Sequence, residues 1–73
     1  MIEQELRKNL AHNLKVERAK KDLTQEELAE MANITQKYLN LIENKKANPS
    51  IVIIVNLCEA LNIELNSILL DVI

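Results

Sequence analysis

Glycine is absent from this 73-residue sequence, and proline occurs once, as Pro49. Tight β-hairpins and strained strand turns usually depend on these two residue types, so their scarcity disfavours an all-β fold. The lack of glycine also excludes the loops that cradle nucleotide phosphates, because the backbone of those loops needs glycine. We therefore expect neither a β-sheet protein nor a nucleotide-dependent enzyme.

Aromatic residues make up 1% of the chain, and Cys58 is its single cysteine. A hydrophobic core must then be built from Leu, Ile, Val and Ala, which favours helices packed on helices. One cysteine forms no intramolecular disulfide, and no cysteine cluster exists to hold a structural zinc. His12 has no second ligand within a helical turn. The sequence thus predicts no metal and no other cofactor.

The chain also lacks long apolar segments. No run approaches the roughly 20 residues that span a bilayer, and the N-terminus shows no basic segment followed by an apolar stretch. A length of 73 residues leaves room for one hydrophobic core. We therefore expect a single cytoplasmic domain over residues 1–73, with no membrane partner.

Positive charge is unevenly distributed along the chain. The formal net charge is −2, yet all nine Lys and Arg residues lie within residues 7–46, and residues 47–73 contain none. The first part can therefore face a phosphate backbone even though the whole chain is acidic. The alternative is an ordinary solvated surface balanced by nearby glutamates.

Hydrophobic spacing predicts a first helix over residues 3–21, in which Leu6, Leu10 and Leu14 recur at intervals of four. Thr24 and Glu27 form a capping-box pattern that starts a second helix. That helix is expected to end near Ala32.

Three further helices follow from similar signals. Thr35 is the expected cap of a third helix that ends near Glu43, and Ser50 caps a fourth. A short fifth helix covers residues 64–70. Asp22, Asn33 and Asn62 stand at helix ends where a left-handed backbone is expected, which Asp and Asn tolerate better than most residues.

The second and third helices have the form of a DNA-binding helix-turn-helix, in which two short helices are joined by a three- or four-residue turn. On the third helix, Ile34, Leu39 and Ile42 point inward. The other face carries Gln36, Lys37, Asn40, Leu41 and Asn44. Gln and Asn side chains suit adenine and Lys suits guanine. The pattern predicts that this helix reads double-stranded DNA in the major groove.

The sequence resembles the lambda-repressor-like, or Xre, family of helix-turn-helix regulators over about residues 10–69. The resemblance is carried, in this order, by LTQEELA at 23–29, IT at 34–35, YL at 38–39, IE at 42–43, NPS at 48–50 and AL at 60–61. It implies an all-α, five-helix domain with the helix-turn-helix in its second and third helices. It also implies a sequence-specific transcriptional regulator.

The resemblance implies roles for individual residues. Gln25 is similar to the family glutamine that touches a phosphate and braces a recognition-helix side chain, and Gln36 is similar to the principal base reader. Asn44 and Lys45 resemble residues that face phosphate. The complete set of expected DNA-binding residues is Gln25, Thr35, Gln36, Lys37, Asn40, Asn44 and Lys45. The alternative for each is a solvated surface position.

Three residues depart from the family pattern. Asp22 and Asn33 stand where the family commonly has glycine, and Leu41 replaces a commonly polar residue on the outer side of the third helix. Leu41 would either meet a thymine methyl group or pack against the following loop.

The fourth helix begins with five successive apolar residues, 51–55, which cannot all face one core. We therefore predict a homodimer, whose two copies would read a pseudo-palindromic operator with half-sites about one DNA turn apart. The expected interface residues are Val52, Ile53, Leu70, Val72 and Ile73. The alternative is that Val52 and Ile53 cover the end of the first helix or stay singly exposed.

A repressor or autoregulator is the expected function, and the sequence does not distinguish a phage-type repressor from a restriction-modification controller. An antitoxin or another protein-binding module with the same fold is the alternative. The sequence predicts no enzymatic activity, since it shows neither a nucleophile with a positioned base nor a paired-carboxylate pocket.

Overall fold

A computed structural model of the protein describes residues 3–70. Its helices are α1 (Gln4–Lys20), α2 (Gln25–Met31), α3 (Gln36–Glu43), α4 (Ile51–Leu61) and α5 (Leu65–Leu69). All regular secondary structure in this range is helical. The predicted all-α architecture of five helices is therefore confirmed. No helix between residues 3 and 70 is long and apolar enough to cross a membrane.

Helix starts follow the predicted side-chain caps. The hydroxyl oxygens of Thr24, Thr35 and Ser50 accept hydrogen bonds from backbone amides three residues later, at 3.0, 3.0 and 3.4 Å. Thr24 also donates its own amide proton to the Glu27 carboxylate at 2.9 Å, which completes the predicted capping box. Each cap satisfies an amide that lacks a partner inside its helix.

Four residues with left-handed backbone end the first four helices. Asp22, Asn33 and Asn62 have φ angles of 56°, 61° and 57°, as predicted. Lys45 has a φ of 62°, which the sequence did not predict. A left-handed backbone costs roughly 1–2 kcal/mol for a residue with a Cβ atom, and the lysine side chain offers none of the local hydrogen bonds that help Asn and Asp.

The same pair of backbone hydrogen bonds closes each of these four helix ends. After α3, for example, the Lys45 amide donates to Ile42 at 3.1 Å and the Lys46 amide donates to Leu41 at 2.8 Å. This is the Schellman arrangement, which satisfies carbonyl groups at the helix end and turns the chain sharply. The chain achieves these turns without a glycine.

The core is aliphatic and is shared by all five helices. Burial of one such side chain contributes about 1.5–3 kcal/mol. The fully buried aliphatic residues are Leu10, Leu14, Leu28, Leu39, Ile42, Ile54, Leu57, Leu61 and Ile68. Helix α1 packs against α3 and α5, and α2 packs against α3 and α4. These contacts place α3 at the molecular surface, with one of its faces packed against the core.

Two asparagines of α1 fasten the short helix α5. The Asn13 amide is fully buried and donates to the carbonyls of Ser67 and Ile68 at 3.2 and 3.0 Å, while Asn9 donates to Leu69 at 2.9 Å. A five-residue helix is unstable alone, so these bonds to its terminal carbonyls stabilise it.

Candidate nucleic-acid interface

Helix α3 divides sharply between a core face and a solvent face. Leu39 and Ile42 are buried, and Ile34, just before the helix, packs half-buried against the same core. The solvent face carries four exposed polar residues: Gln36, Lys37, Asn40 and Asn44. Leu41 is half-buried. The structure therefore brings together, on one exposed helix face, most of the residues for which DNA contact was predicted.

Three hydrogen bonds close the turn between α2 and α3. The Asn33 amide donates to Glu30 at 3.2 Å, and the Ile34 amide donates to Ala29 at 2.9 Å. Thr35 then caps α3 by accepting from the Tyr38 amide. Asn33, Ile34 and Thr35 are consecutive, and each takes part in one of these hydrogen bonds. The turn therefore holds the start of α3 against the end of α2.

A buried carboxylate lies beneath the exposed face of α3. Glu43 is 1% exposed, and its two oxygens accept hydrogen bonds from Arg18 Nε and Nη2 at 2.9 and 3.1 Å. Arg18 also donates from Nη1 to the carbonyl of Leu23 at 3.0 Å. The bidentate ion pair thus ties α3 to α1 and to the turn before α2.

Glu43 also sets the orientation of the Gln25 side chain. Gln25 Nε2 lies 2.9 Å from Glu43 Oε1. An ionised carboxylate only accepts hydrogen bonds, so the amide nitrogen of Gln25 must face Glu43 and its oxygen must face away. That oxygen accepts a hydrogen bond from Asn40 Nδ2 at 3.3 Å.

The consequence is a preferred orientation for the Asn40 amide. One N–H of its Nδ2 group is used by Gln25, which leaves the Oδ1 oxygen and a second N–H for another partner. An acceptor and a donor side by side match the N6 and N7 groups of adenine in the major groove. Gln25, at the start of α2, therefore braces a side chain of α3.

Positive charge is concentrated near this face. Arg18 pairs with Glu43, and Lys20 and Lys21 pair with Glu17 at 3.6 and 3.7 Å. The remaining Lys and Arg residues form no ion pair within residues 3–70: Arg7, Lys8, Lys15, Lys37, Lys45 and Lys46. Three of these six lie on α3 or directly after it, where their charge is available to an anionic partner.

The predicted dimer residues divide into three groups. Val52 and Leu70 are 63% and 59% exposed, and Ile51 and Val55 are exposed beside Val52 on α4. Ile53 is half-buried and packs against the core. Val72 and Ile73 lie outside the described residues.

Cys58 is a core residue. Its thiol is buried, and burial together with the neighbouring Glu59 charge raises its pKa above the ordinary value. The thiolate is therefore disfavoured at neutral pH.

Sequence reasoning missed Arg18 and Glu43 as parts of the site. One signal was available for Glu43, because it follows Leu39 by four residues and so lies on the core side of α3. No local pattern links Arg18 to it, since the two residues are separated by 25 positions.

Comparisons with known proteins agree with this architecture. A family model described as helix-turn-helix matches residues 14–68. A search of curated protein sequences finds no significant match.

Several solved structures are similar to the chain. The hypothetical transcription factor NHTF from Neisseria is 30% identical with a TM-score of 0.86, and the match covers 96% of this chain and 83% of that one. The restriction-modification controller protein C.AhdI from Aeromonas hydrophila is 31% identical with a TM-score of 0.81, covering 85% and 94%. The clp gene regulator ClgR from Corynebacterium glutamicum is 31% identical with a TM-score of 0.83, covering 88% and 68%.

Proposed function

This chain belongs to the helix-turn-helix family, and on that premise we propose that it regulates transcription by reading a specific double-stranded DNA sequence with α3. The observation that carries the proposal is the exposed polar face of α3, opposite a face that is buried in the core. A recognition helix needs both properties, because its outer side chains must reach base edges while the fold holds it rigidly.

The division of roles follows from position and chemistry. Gln36 and Lys37 occupy the first turn of α3, and Asn40 lies one turn later with its amide oriented by Gln25. Gln and Asn can each pair with adenine through two hydrogen bonds, and Lys can donate to guanine. These three residues are the proposed base readers.

Contacts to phosphate are assigned to residues at the edges of this face. Asn44 and Lys45 follow α3, Gln25 begins α2, and Thr35 caps α3 with an exposed side chain. Such contacts set the register of a protein on the duplex without reading sequence.

We also propose that the protein acts as a homodimer, as a repressor or autoregulator. A single recognition helix covers a few base pairs, whereas a twofold dimer reads two half-sites of a pseudo-palindromic operator. The exposed apolar residues Ile51, Val52, Val55 and Leu70 support a self-complementary interface in the part of the chain that contains no Lys or Arg. Apolar contacts there would leave α3 free for DNA.

Selection of binding sites from random duplex DNA tests the function. The wild-type protein should enrich a defined motif, and Gln36→Ala should lower affinity by about 1–3 kcal/mol and relax preference at one base position. Asn66→Ala, which removes an exposed amide from α5, is the control and should select the wild-type motif. An unchanged motif and affinity for Gln36→Ala would show that α3 is not the reading helix.

A further inference from the structure

Glu43 carries a buried charge directly beneath the exposed face of α3. Its side chain is almost fully buried, and its two oxygens accept hydrogen bonds from Arg18 and Gln25. The guanidinium group of Arg18 contains donors only, so both carboxylate oxygens must act as acceptors. Glu43 therefore presents an acceptor to Gln25, and no rotation of the carboxylate can turn that acceptor into a donor.

A carboxylate at position 43 restricts Gln25 in a way that a neutral amide would not. A carboxamide has one accepting end and one donating end, so it could pair with either end of the Gln25 amide. The carboxylate permits one orientation, in which Gln25 Nε2 faces Glu43 and Gln25 Oε1 lies 3.3 Å from Asn40 Nδ2. We call the three side chains Glu43, Gln25 and Asn40 the polar chain.

The other proposed base readers are not oriented in this way. Within residues 3–70, the side chains of Gln36 and Lys37 form no hydrogen bond or ion pair. The Gln36 amide can therefore rotate to suit the base that it meets. The Asn40 amide, by contrast, is oriented before DNA binds.

The orientation of Asn40 favours one base over another. With one N–H engaged by Gln25, Asn40 offers an oxygen and a second N–H, which complement the N6 amino group and the N7 atom of adenine. Guanine presents two acceptors, O6 and N7, so one of them would face the Asn40 oxygen. If the Asn40 amide were reversed, both of its N–H groups could face guanine. The polar chain therefore discriminates against guanine.

We propose that Glu43 is a positioning residue that makes adenine the base read by Asn40, an inference that rests on the proposed function. Glu43 is buried and acts only through Gln25. If Glu43 merely held α3 in place, its loss would disturb every base position alike. A positioning residue instead changes the preference at the one base pair that Asn40 reads.

The experiment measures base preference at two positions of the selected DNA site. Asn40→Ala and Gln36→Ala, each used in site selection, identify the base pairs that these two residues read. At each pair, the affinity for an A·T duplex is divided by the affinity for a matched G·C duplex, first for the wild type and then for Glu43→Gln. Two well-placed hydrogen bonds to a base discriminate by roughly 5- to 150-fold.

We expect Glu43→Gln to bring this ratio toward one at the Asn40 pair and to leave it unchanged at the Gln36 pair. Glu43→Gln also leaves the Arg18 charge unpaired, which destabilises the fold. The double variant Arg18→Met/Glu43→Gln removes both charges, should remain folded and should give the same two ratios. Thermal unfolding confirms that each variant is folded.

A further variant tests whether Glu43 acts through Gln25. Gln25→Met breaks the polar chain at its half-buried middle residue and should also bring the ratio toward one at the Asn40 pair. Adding Glu43→Gln to Gln25→Met should change this ratio no further. Additive losses would show that Glu43 acts by another route and would contradict the proposal.

Three other results would overturn the proposal. The first is a wild-type ratio at the Asn40 pair in both Glu43 variants, and the second is an equal fall at the Asn40 and Gln36 pairs. The third is a wild-type site in which Asn40→Ala relaxes no base pair, or relaxes one that prefers guanine. Failure of the proposed function is distinguishable, because the wild-type protein would then select no motif at all.

Discussion

Residues 3–46 and residues 47–70 share one aliphatic core but expose opposite kinds of surface. The first region contains every Lys and Arg of the chain, together with the exposed amides of α3. The second region has no basic residue and exposes Ile51, Val52, Val55 and Leu70. The same small core therefore supports a polar surface suited to nucleic acid and an apolar surface suited to another protein.

The largest expected effect on stability comes from breaking the ion pair between Arg18 and Glu43, which joins α1 to α3 in the first region. Arg18→Ala leaves the Glu43 carboxylate buried without its charged partner, which should lower the free energy of unfolding by about 3–5 kcal/mol. Chemical denaturation measures the change. Lys20→Ala is the control, because Lys20 is exposed and Glu17 keeps Lys21 as a partner, so the loss should be about 0–1 kcal/mol. Similar losses of unfolding free energy for both variants would mean that the Arg18–Glu43 ion pair stabilises the fold no more than the Lys20–Glu17 pair does.

A second prediction tests whether the apolar surface of the second region forms the dimer interface and the first region does not. Val52→Glu places like charges across a twofold interface and should convert dimers to monomers, which sedimentation at tens of micromolar detects. Met31→Glu is matched to it, since Met31 is a 54% exposed apolar residue of the first region, and it should leave the mass unchanged. A wild-type mass of one chain at every concentration contradicts the dimer directly.

The third prediction concerns the cap of α2. Thr24→Ala removes the hydroxyl that accepts from the Glu27 amide and should destabilise the protein by about 1 kcal/mol. The denaturation midpoint reports the loss. Thr24→Ser keeps a capping oxygen and should recover most of it. A midpoint that does not move in Thr24→Ala would show that α2 is held by packing alone.

The smallest expected change in stability is at Lys45. Lys45→Asn relieves the left-handed lysine and should stabilise the fold by up to about 1 kcal/mol, since Asn tolerates this conformation better. The same variant should weaken DNA binding for all sequences alike and reduce its salt dependence. Gains in both stability and DNA affinity would contradict the proposed contact between Lys45 and a DNA phosphate.

Features that depend on neighbouring residues were predictable from the sequence. The caps at Thr24, Thr35 and Ser50 and the left-handed turns at Asp22 and Asn33 are local, because their hydrogen bonds join residues a few positions apart. The exposed and buried faces of α3 follow equally from helical periodicity. Local chemistry and periodicity therefore predicted the helices and their ends, whereas their assembly into one five-helix domain was implied by the family resemblance.

Features that join distant residues were not predictable. Arg18 meets Glu43 across 25 positions, and Asn13 meets Ile68 across 55, so neither contact has a local pattern. The left-handed backbone of Lys45 was not predicted for a different reason, because lysine has no intrinsic preference for that conformation. The family resemblance predicted that Gln25 braces a side chain of the recognition helix, and the structure identifies that side chain as Asn40.

The helix ends built without glycine also affect the unfolded chain. Glycine explores far more backbone conformations than any residue with a Cβ atom, and replacing one glycine restricts the unfolded ensemble by about 0.4–1 kcal/mol where the native angle is tolerated. Because its four left-handed positions carry Asp, Asn or Lys, this chain loses less conformational entropy on folding than it would with glycine there. At φ angles near 60° this entropic gain offsets only part of the roughly 1–2 kcal/mol that a left-handed backbone costs a residue with a Cβ atom.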